Sequence, residues 1–172
     1  SLPIASRDRQ WTSYSDALFT AVSSTCVTGL VVVDTATKWS LFGQIVILAL
    51  IQIGGLGVIT VAMTIMMITK KRIGLQERAA VRDSLSATQL GGVVRLMRFI
   101  LAVTFCIEIA GAISLSFAFV PKYGFFRGVW YGIFHSVSSF CNAGFDLLGR
   151  GNEFCSLTDY AADPIVNITV MF

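Results

Sequence analysis

Charge is scarce in this chain. Asp, Glu, Lys and Arg make up 13% of its 172 residues, against about 25% in an ordinary soluble domain. Hydrophobic residues make up 55%, and the mean hydropathy is +0.74. That excludes a soluble core with a solvated shell and leaves a membrane protein. Cysteine is sparse too: Cys26, Cys106, Cys141 and Cys155 show neither CxxC nor metal-ligand spacing. Cys106 falls inside an apolar run, where a disulfide is not expected. Cys26 and Cys141 hold equivalent places in a repeat and could approach each other, but they read best as small apolar side chains. The constellations of enzymes are missing: no nucleophile beside a base, no phosphate loop, no zinc spacing, no paired carboxylates. An enzyme, a cofactor and a nucleic-acid partner are not expected. The chain opens at Ser1-Leu2-Pro3 without a signal-peptide pattern and stops at Met171-Phe172 inside a fresh apolar run. It is expected to be a piece of something longer.

What the chain does have is a repeat. Residues 16–30 (DALFTAVSSTCVTGL) align with residues 131–145 (YGIFHSVSSFCNAGF), 115 positions on. Phe, Val, both serines, Cys and Gly are shared. Each copy is a short apolar helix-like run ending in small polar residues and a glycine. Each lies beside an apolar run of membrane-spanning character. A half-helix followed by glycine-punctuated backbone is what a re-entrant pore loop requires, and ion selectivity is built from such loops.

The rest of the chain frames these loops. Residues 1–69 are expected to hold a pore helix and loop over 15–30, with Ser15 capping a helix from Asp16, and a transmembrane helix over 39–69. That helix would be roughly 45 Å long at 1.5 Å per residue, longer than the ~30 Å hydrocarbon core, so it must tilt, bend or protrude. Gly54-Gly55-Leu56-Gly57 permits close packing or a bend. Residues 70–94 form a link with an amphipathic helix over 75–90. Lys70, Lys71, Arg72, Arg78, Arg82, Arg95 and Arg98 outnumber Glu77 and Asp83 across this region. By the positive-inside rule it is cytoplasmic, and both loops then face outward. The basic link could also bind anionic lipid or a cytoplasmic partner. Residues 95–172 follow the same plan: a transmembrane helix over 95–120 closed by Pro121, a pore helix and loop over 125–145, an outer loop over 146–163, and the start of a transmembrane helix over 164–172, opened by Pro164. The fold class is thus an all-α membrane protein of span–pore loop–span repeats.

The loops are the candidate site. Irregular backbone at membrane depth is tolerated where it lines water or protein. Carbonyls that cannot bond internally can bond a cation, and the preceding helix points its negative end toward them. One copy alone would read as a short spanning helix; two matched copies favour pore loops. The expected ion-coordinating set is the backbone of Thr25, Cys26, Val27, Thr28 and Gly29 and of Phe140, Cys141, Asn142, Ala143 and Gly144. The two sets differ at three of five positions, which main-chain coordination tolerates and side-chain coordination would not. No acidic side chain lies in either loop, which suits a monovalent ion. His135 reads as a packing histidine before a proton relay. Glu108, an acid inside a span, is a functional suspect by default, but could instead accept bonds from loop amides or a pore-helix residue.

Several runs carry a resemblance. These are residues 16–21 (DALFTA), 27–35 (VTGLVVVDT), 41–44 (LFGQ), 51–57 (IQIGGLG), 91–96 (GGVVRL), 134–140 (FHSVSSF), 142–147 (NAGFDL) and 163–168 (DPIVNI). Over nearly its whole length the chain resembles the KtrB family, the membrane subunits of bacterial Ktr potassium transporters, in the superfamily with Trk and HKT. The resemblance implies four span–pore–span units around one pore, with Gly29 and Gly144 on two of four filter strands. It implies K⁺ as substrate, Na⁺ as an activator, a homodimer in the cell membrane, and a cytoplasmic ring of RCK-type nucleotide-binding subunits. Cys26 and Cys141 depart from the small or polar residues expected beside such a filter. A Trk- or HKT-type relative passing Na⁺ or both ions, or a non-conducting membrane scaffold, remain the alternatives.

Overall fold

A computed structural model describes residues 2–8, 10–57, 93–149 and 156–171. The chain divides into a larger unit, Ser1–Gly55 with Ile107–Phe172, and a smaller one, Leu56–Cys106. The helices are α1 (Tyr14–Thr25), α2 (Thr35–Lys38), α3 (Leu41–Leu56), α4 (Val93–Tyr123), α5 (Phe125–Phe140) and α6 (Pro164–Met171), with a 3-10 turn over Thr158–Tyr160. No strand occurs among the described residues; Ser6 and Trp39 form an isolated antiparallel bridge. The expected helix over 75–90, the remainder of the first span and Cys155 lie outside the described residues.

α1 begins at Tyr14, so Ser15 does not cap it. Ser13 holds the N-cap position without a side-chain capping bond, and its Oγ pairs with Ser15 Oγ at 2.7 Å. Along the helix Thr20, Ser24 and Thr25 donate to the carbonyls of Asp16, Thr20 and Ala21, at 2.8, 2.7 and 2.9 Å. Such bonds to the preceding turn satisfy hydroxyls within their own helix. No helix forms over 26–33, where β-branched residues and Gly29 are poor helix material. The short α2 was not apparent in the sequence. It forms because the Asp34 carboxylate accepts from Thr37 N at 2.9 Å, a side-chain cap.

α3 runs Leu41–Leu56 and Gly57 takes a φ of 81°; from residue 58 on, the expected span over 39–69 lies outside the described residues. α4 passes through Pro121 and ends at Tyr123. Gly124, with φ 82°, closes it by donating its N–H to Val120 O at 2.9 Å. Pro121 costs one N–H in the last turn, but the left-handed glycine is what terminates the helix. Within α4, Arg98–Tyr123 is 26 residues long, and its most apolar 18-residue window has a mean hydropathy of 2.1. At 1.5 Å per residue it reaches about 39 Å, enough to cross a bilayer. α6 opens at Pro164 as expected, with Asp163 Oδ1 accepting from Ile165 N at 3.0 Å.

The core of the larger unit holds Ile51 of α3, Leu115 and Phe119 of α4, Phe134 of α5, Leu147, and Val166 of α6, all essentially inaccessible. Phe119 packs edge-on against Tyr160 with ring centroids 5.1 Å apart. This tethers the connection between α5 and α6 to α4.

Candidate functional site: the twin loops

α1 and α5 end alike. Cys26 caps the first at φ −82°, ψ −3° and Cys141 the second at φ −76°, ψ −3°. Their N–H groups donate to Val22 O at 2.8 Å and Val137 O at 2.9 Å. The chain then alternates in hand. Val27 has φ 56° and Asn142 φ 57°; Gly29 has φ 72° and Gly144 φ 71°. Thr28 and Ala143, between them, are not left-handed. Alternating right- and left-handed residues put successive N–H groups on one side of the strand and carbonyls on the other. The N–H side faces home: Thr28 N donates to Ser23 O at 3.0 Å, and Ala143 N to Ser138 O at 2.7 Å. Among the described residues no donor reaches the carbonyls of 26–29 or 141–144.

The serines shared by both copies hold the far ends. Ser23 Oγ donates to Leu30 O at 2.6 Å, and Ser138 Oγ to Phe145 O at 2.7 Å. The two strands meet at their glycines. A Cβ on Gly29 would lie 2.7 Å from Ala143 O and 3.5 Å from Gly144 Cα. Only glycine combines φ near 70° with that approach.

α3 lies behind both loops. A Cβ on Gly54 would run into the Thr25 carbonyl, and one on Gly55 would lie 2.7 Å from Cys141 Cβ. Gly54 and Gly55 are therefore close-packing positions. Gln52 of the same helix donates to Glu108 Oε1 on α4 at 2.8 Å. Glu108 also accepts Ser136 Oγ of α5 at 2.7 Å, through its backbone carbonyl. The acid thus meets α3 through its carboxylate and α5 through its main chain. Cys141 is half-buried and Cys26 exposed; both are free thiols, as is Cys106.

His135 is buried among Phe119, Tyr131 and Phe134. Its Nδ1 lies 2.8 Å from Tyr131 O, and Leu147 N donates to Nε2 at 3.4 Å. A carbonyl on one nitrogen and an N–H on the other place the proton on Nδ1 and leave the ring neutral. Against it, beside Ser138, Asn142 and Asp146, is a cavity of about 140 Å³.

Three features escaped sequence reasoning. The left-handed Val27 carries no sequence signal, since a β-branched residue argues against that conformation. The serine grip was visible only as two matched serines. Asp146 follows the second loop and is half-buried, with its Oδ1 accepting from Leu148 N at 3.1 Å. Burial raises its carboxyl above the usual range; the Leu148 bond opposes this and the Asp34 charge adds to it.

Comparison with known proteins follows the same lines. The family model described as TrkH, cation transport protein, matches residues 2–172. The potassium/sodium uptake protein NtpJ of Enterococcus hirae is 46% identical over 87% of the chain and 33% of its own length. The Ktr system potassium uptake protein B of Bacillus subtilis is 46% identical over 93% of the chain and 35% of its own. The protein of that name from Vibrio alginolyticus is 37% identical over 92% and 34%. The chain spans about a third of the length of these relatives. Matched along almost every residue, the chain belongs to the TrkH family of cation transport proteins, which are membrane proteins.

Proposed function

We propose that this chain forms part of the ion-translocating subunit of a Ktr-type potassium uptake system. In this reading the backbone carbonyls of Thr25–Gly29 and Phe140–Gly144 supply two strands of a selectivity filter. The observation that carries it is the matched handedness of the loops. Cys26, Val27 and Gly29 agree with Cys141, Asn142 and Gly144 to within a few degrees in φ. Val27 bears the strain of a left-handed β-branched residue to achieve it. The carbonyls so aligned have no donor among the described residues. Loops that merely packed, as in a scaffold, would have no reason to share this strained geometry. A cage of neutral oxygens suits K⁺ as the substrate. The names of the Bacillus and Vibrio relatives support the same ion.

The loops face outward, and residues 70–94 face the cytoplasm, on the strength of their positive charge. The working assembly is a homodimer in the cell membrane on a cytoplasmic RCK-type ring, with Na⁺ as an activator, as the resemblance implies. A second reading, a pathway passing Na⁺ as well as K⁺, is favoured by the name of the Enterococcus relative.

The test uses the full-length gene in cells lacking their own potassium uptake, grown at limiting K⁺. Wild type is expected to rescue growth. Gly144→Ser and Gly29→Ser are expected to lose K⁺ preference over Na⁺, because a Cβ at φ near 70° is strained at both positions and at Gly29 it would also press on Ala143 O. Wild-type preference in both variants would remove the loops from the pathway.

A further inference from the structure

We propose that Ser23 and Ser138 are positioning residues that set the shape and outer limit of the ion pathway. The proposal rests on the reading of the two loops as filter strands. Each serine stands six positions before its loop glycine and holds its strand at two points. Its main-chain carbonyl accepts from the fourth loop residue: Thr28 N at 3.0 Å, Ala143 N at 2.7 Å. Its hydroxyl donates to the residue beyond the glycine: Leu30 O at 2.6 Å, Phe145 O at 2.7 Å. Both serines are buried, 4% and 3% exposed. Phe145 is buried too, so the Ser138 bond is made away from water, where it is stronger, while Leu30 is exposed and the Ser23 bond is only partly shielded.

Two consequences follow. The carbonyls of Leu30 and Phe145 are turned toward the pore helix and withdrawn from the ion, so the row of free carbonyls ends at Gly29 and Gly144. The two attachments also straddle the glycine, the residue whose peptide plane rotates most easily. With the hydroxyl removed, that plane is held from one side only, and the oxygen cage can contract around a smaller ion. Discrimination against Na⁺ therefore depends on the serine hydroxyl, not only on the glycine.

The strands differ in one respect. Ser23 Oγ also lies 2.9 Å from Thr28 Oγ1. Its single proton is committed to Leu30, so Thr28 is the donor there. Ala143 holds the place of Thr28 in the second strand and offers no hydroxyl. Loss of Ser138 leaves Phe145 O without a counterpart of Thr28, whereas loss of Ser23 leaves the Thr28 hydroxyl close by.

The experiment measures K⁺ uptake and its competition by Na⁺ in the full-length transporter, with membrane insertion checked by immunodetection. Ser138→Ala is expected to reduce K⁺-over-Na⁺ discrimination about tenfold, the scale of one lost buried hydrogen bond, and Ser138→Thr to restore it. Ser23→Ala is expected to act more weakly, and Ser23→Ala with Thr28→Val to match Ser138→Ala. Gly144→Ser separates the two claims. If it alters discrimination and the serine variants do not, the serines have no positioning role while the filter stands. If Gly144→Ser also leaves discrimination intact, the loops are not the filter and the proposal falls with them. Should Ser138→Ala fail to reach the membrane, the Ser23 and Thr28 variants decide the matter by the same criterion.

Discussion

At the scale of single residues, Val27 and Asn142 pose the sharpest contrast. They share a left-handed backbone within a degree in φ, yet asparagine adopts it readily and valine does not. The left-handed region costs an ordinary L-residue about 1–2 kcal/mol. Val27→Asn is therefore expected to stabilise the full-length protein by about 1 kcal/mol while leaving K⁺ preference unchanged, since the proposed filter coordinates through main-chain oxygens. Thermal unfolding in detergent alongside competitive uptake checks both halves. A lower midpoint would show that the valine side chain contributes packing that outweighs its strain. The glycines of both loops were legible from the repeat alone, because a repeated lone glycine implies a shared backbone requirement. The handedness of the residue two before each glycine was not, because valine and asparagine share no property that would announce it.

At the scale of elements, polar contacts hold helices to one another behind the loops. Gln52 on α3 meets the carboxylate of Glu108 on α4, and the Glu108 carbonyl takes the hydroxyl of Ser136 on α5. Glu108 is 5% exposed, so deleting its side chain strands the Gln52 amide in a place poor in water. Glu108→Ala is expected to destabilise the protein by about 1–3 kcal/mol. Glu108→Gln keeps an acceptor for Gln52 and should cost far less. Equal losses in the two variants would show that the charge, not the hydrogen bond, is what matters at this position. The helices themselves were largely legible. Long uncharged runs announced α3 and α4, and the repeat announced α1 and α5. Their ends were less so. Pro121 pointed to the end of α4, yet a proline can sit in a final turn, and Gly124 three residues later stops the helix. α2 escaped notice because a four-residue turn has no periodicity to detect; only the Asp34 cap makes it.

At the scale of the whole chain, the two repeats are joined beyond their loops as well as at their glycines. The Asp34 carboxylate, beyond the first loop, lies against Gly149, beyond the second. Its charge, after burial itself, helps hold the Asp146 carboxyl above the usual range, with the Leu148 N–H opposing. This has a definite sign for stability. Unfolded, Asp146 ionises near the ordinary value of about 3.9; folded, it ionises at higher pH. The folded state therefore favours the protonated form. That contribution is fully present below the unfolded pKa and is lost as pH rises through the folded one. Asp146→Asn mimics the protonated form and keeps an acceptor for Leu148. It is expected to raise the unfolding midpoint at pH 7 and to lose most of that advantage toward pH 4, measured on the full-length protein in detergent. An advantage independent of pH would mean that the amide gains contacts of its own and that the carboxylate carries no burden at neutral pH. The sequence could not announce this coupling, because Asp34 and Asp146 occupy non-equivalent places in the two copies. A repeat predicts what its copies share; the contacts that join one copy to the other depend on where they differ.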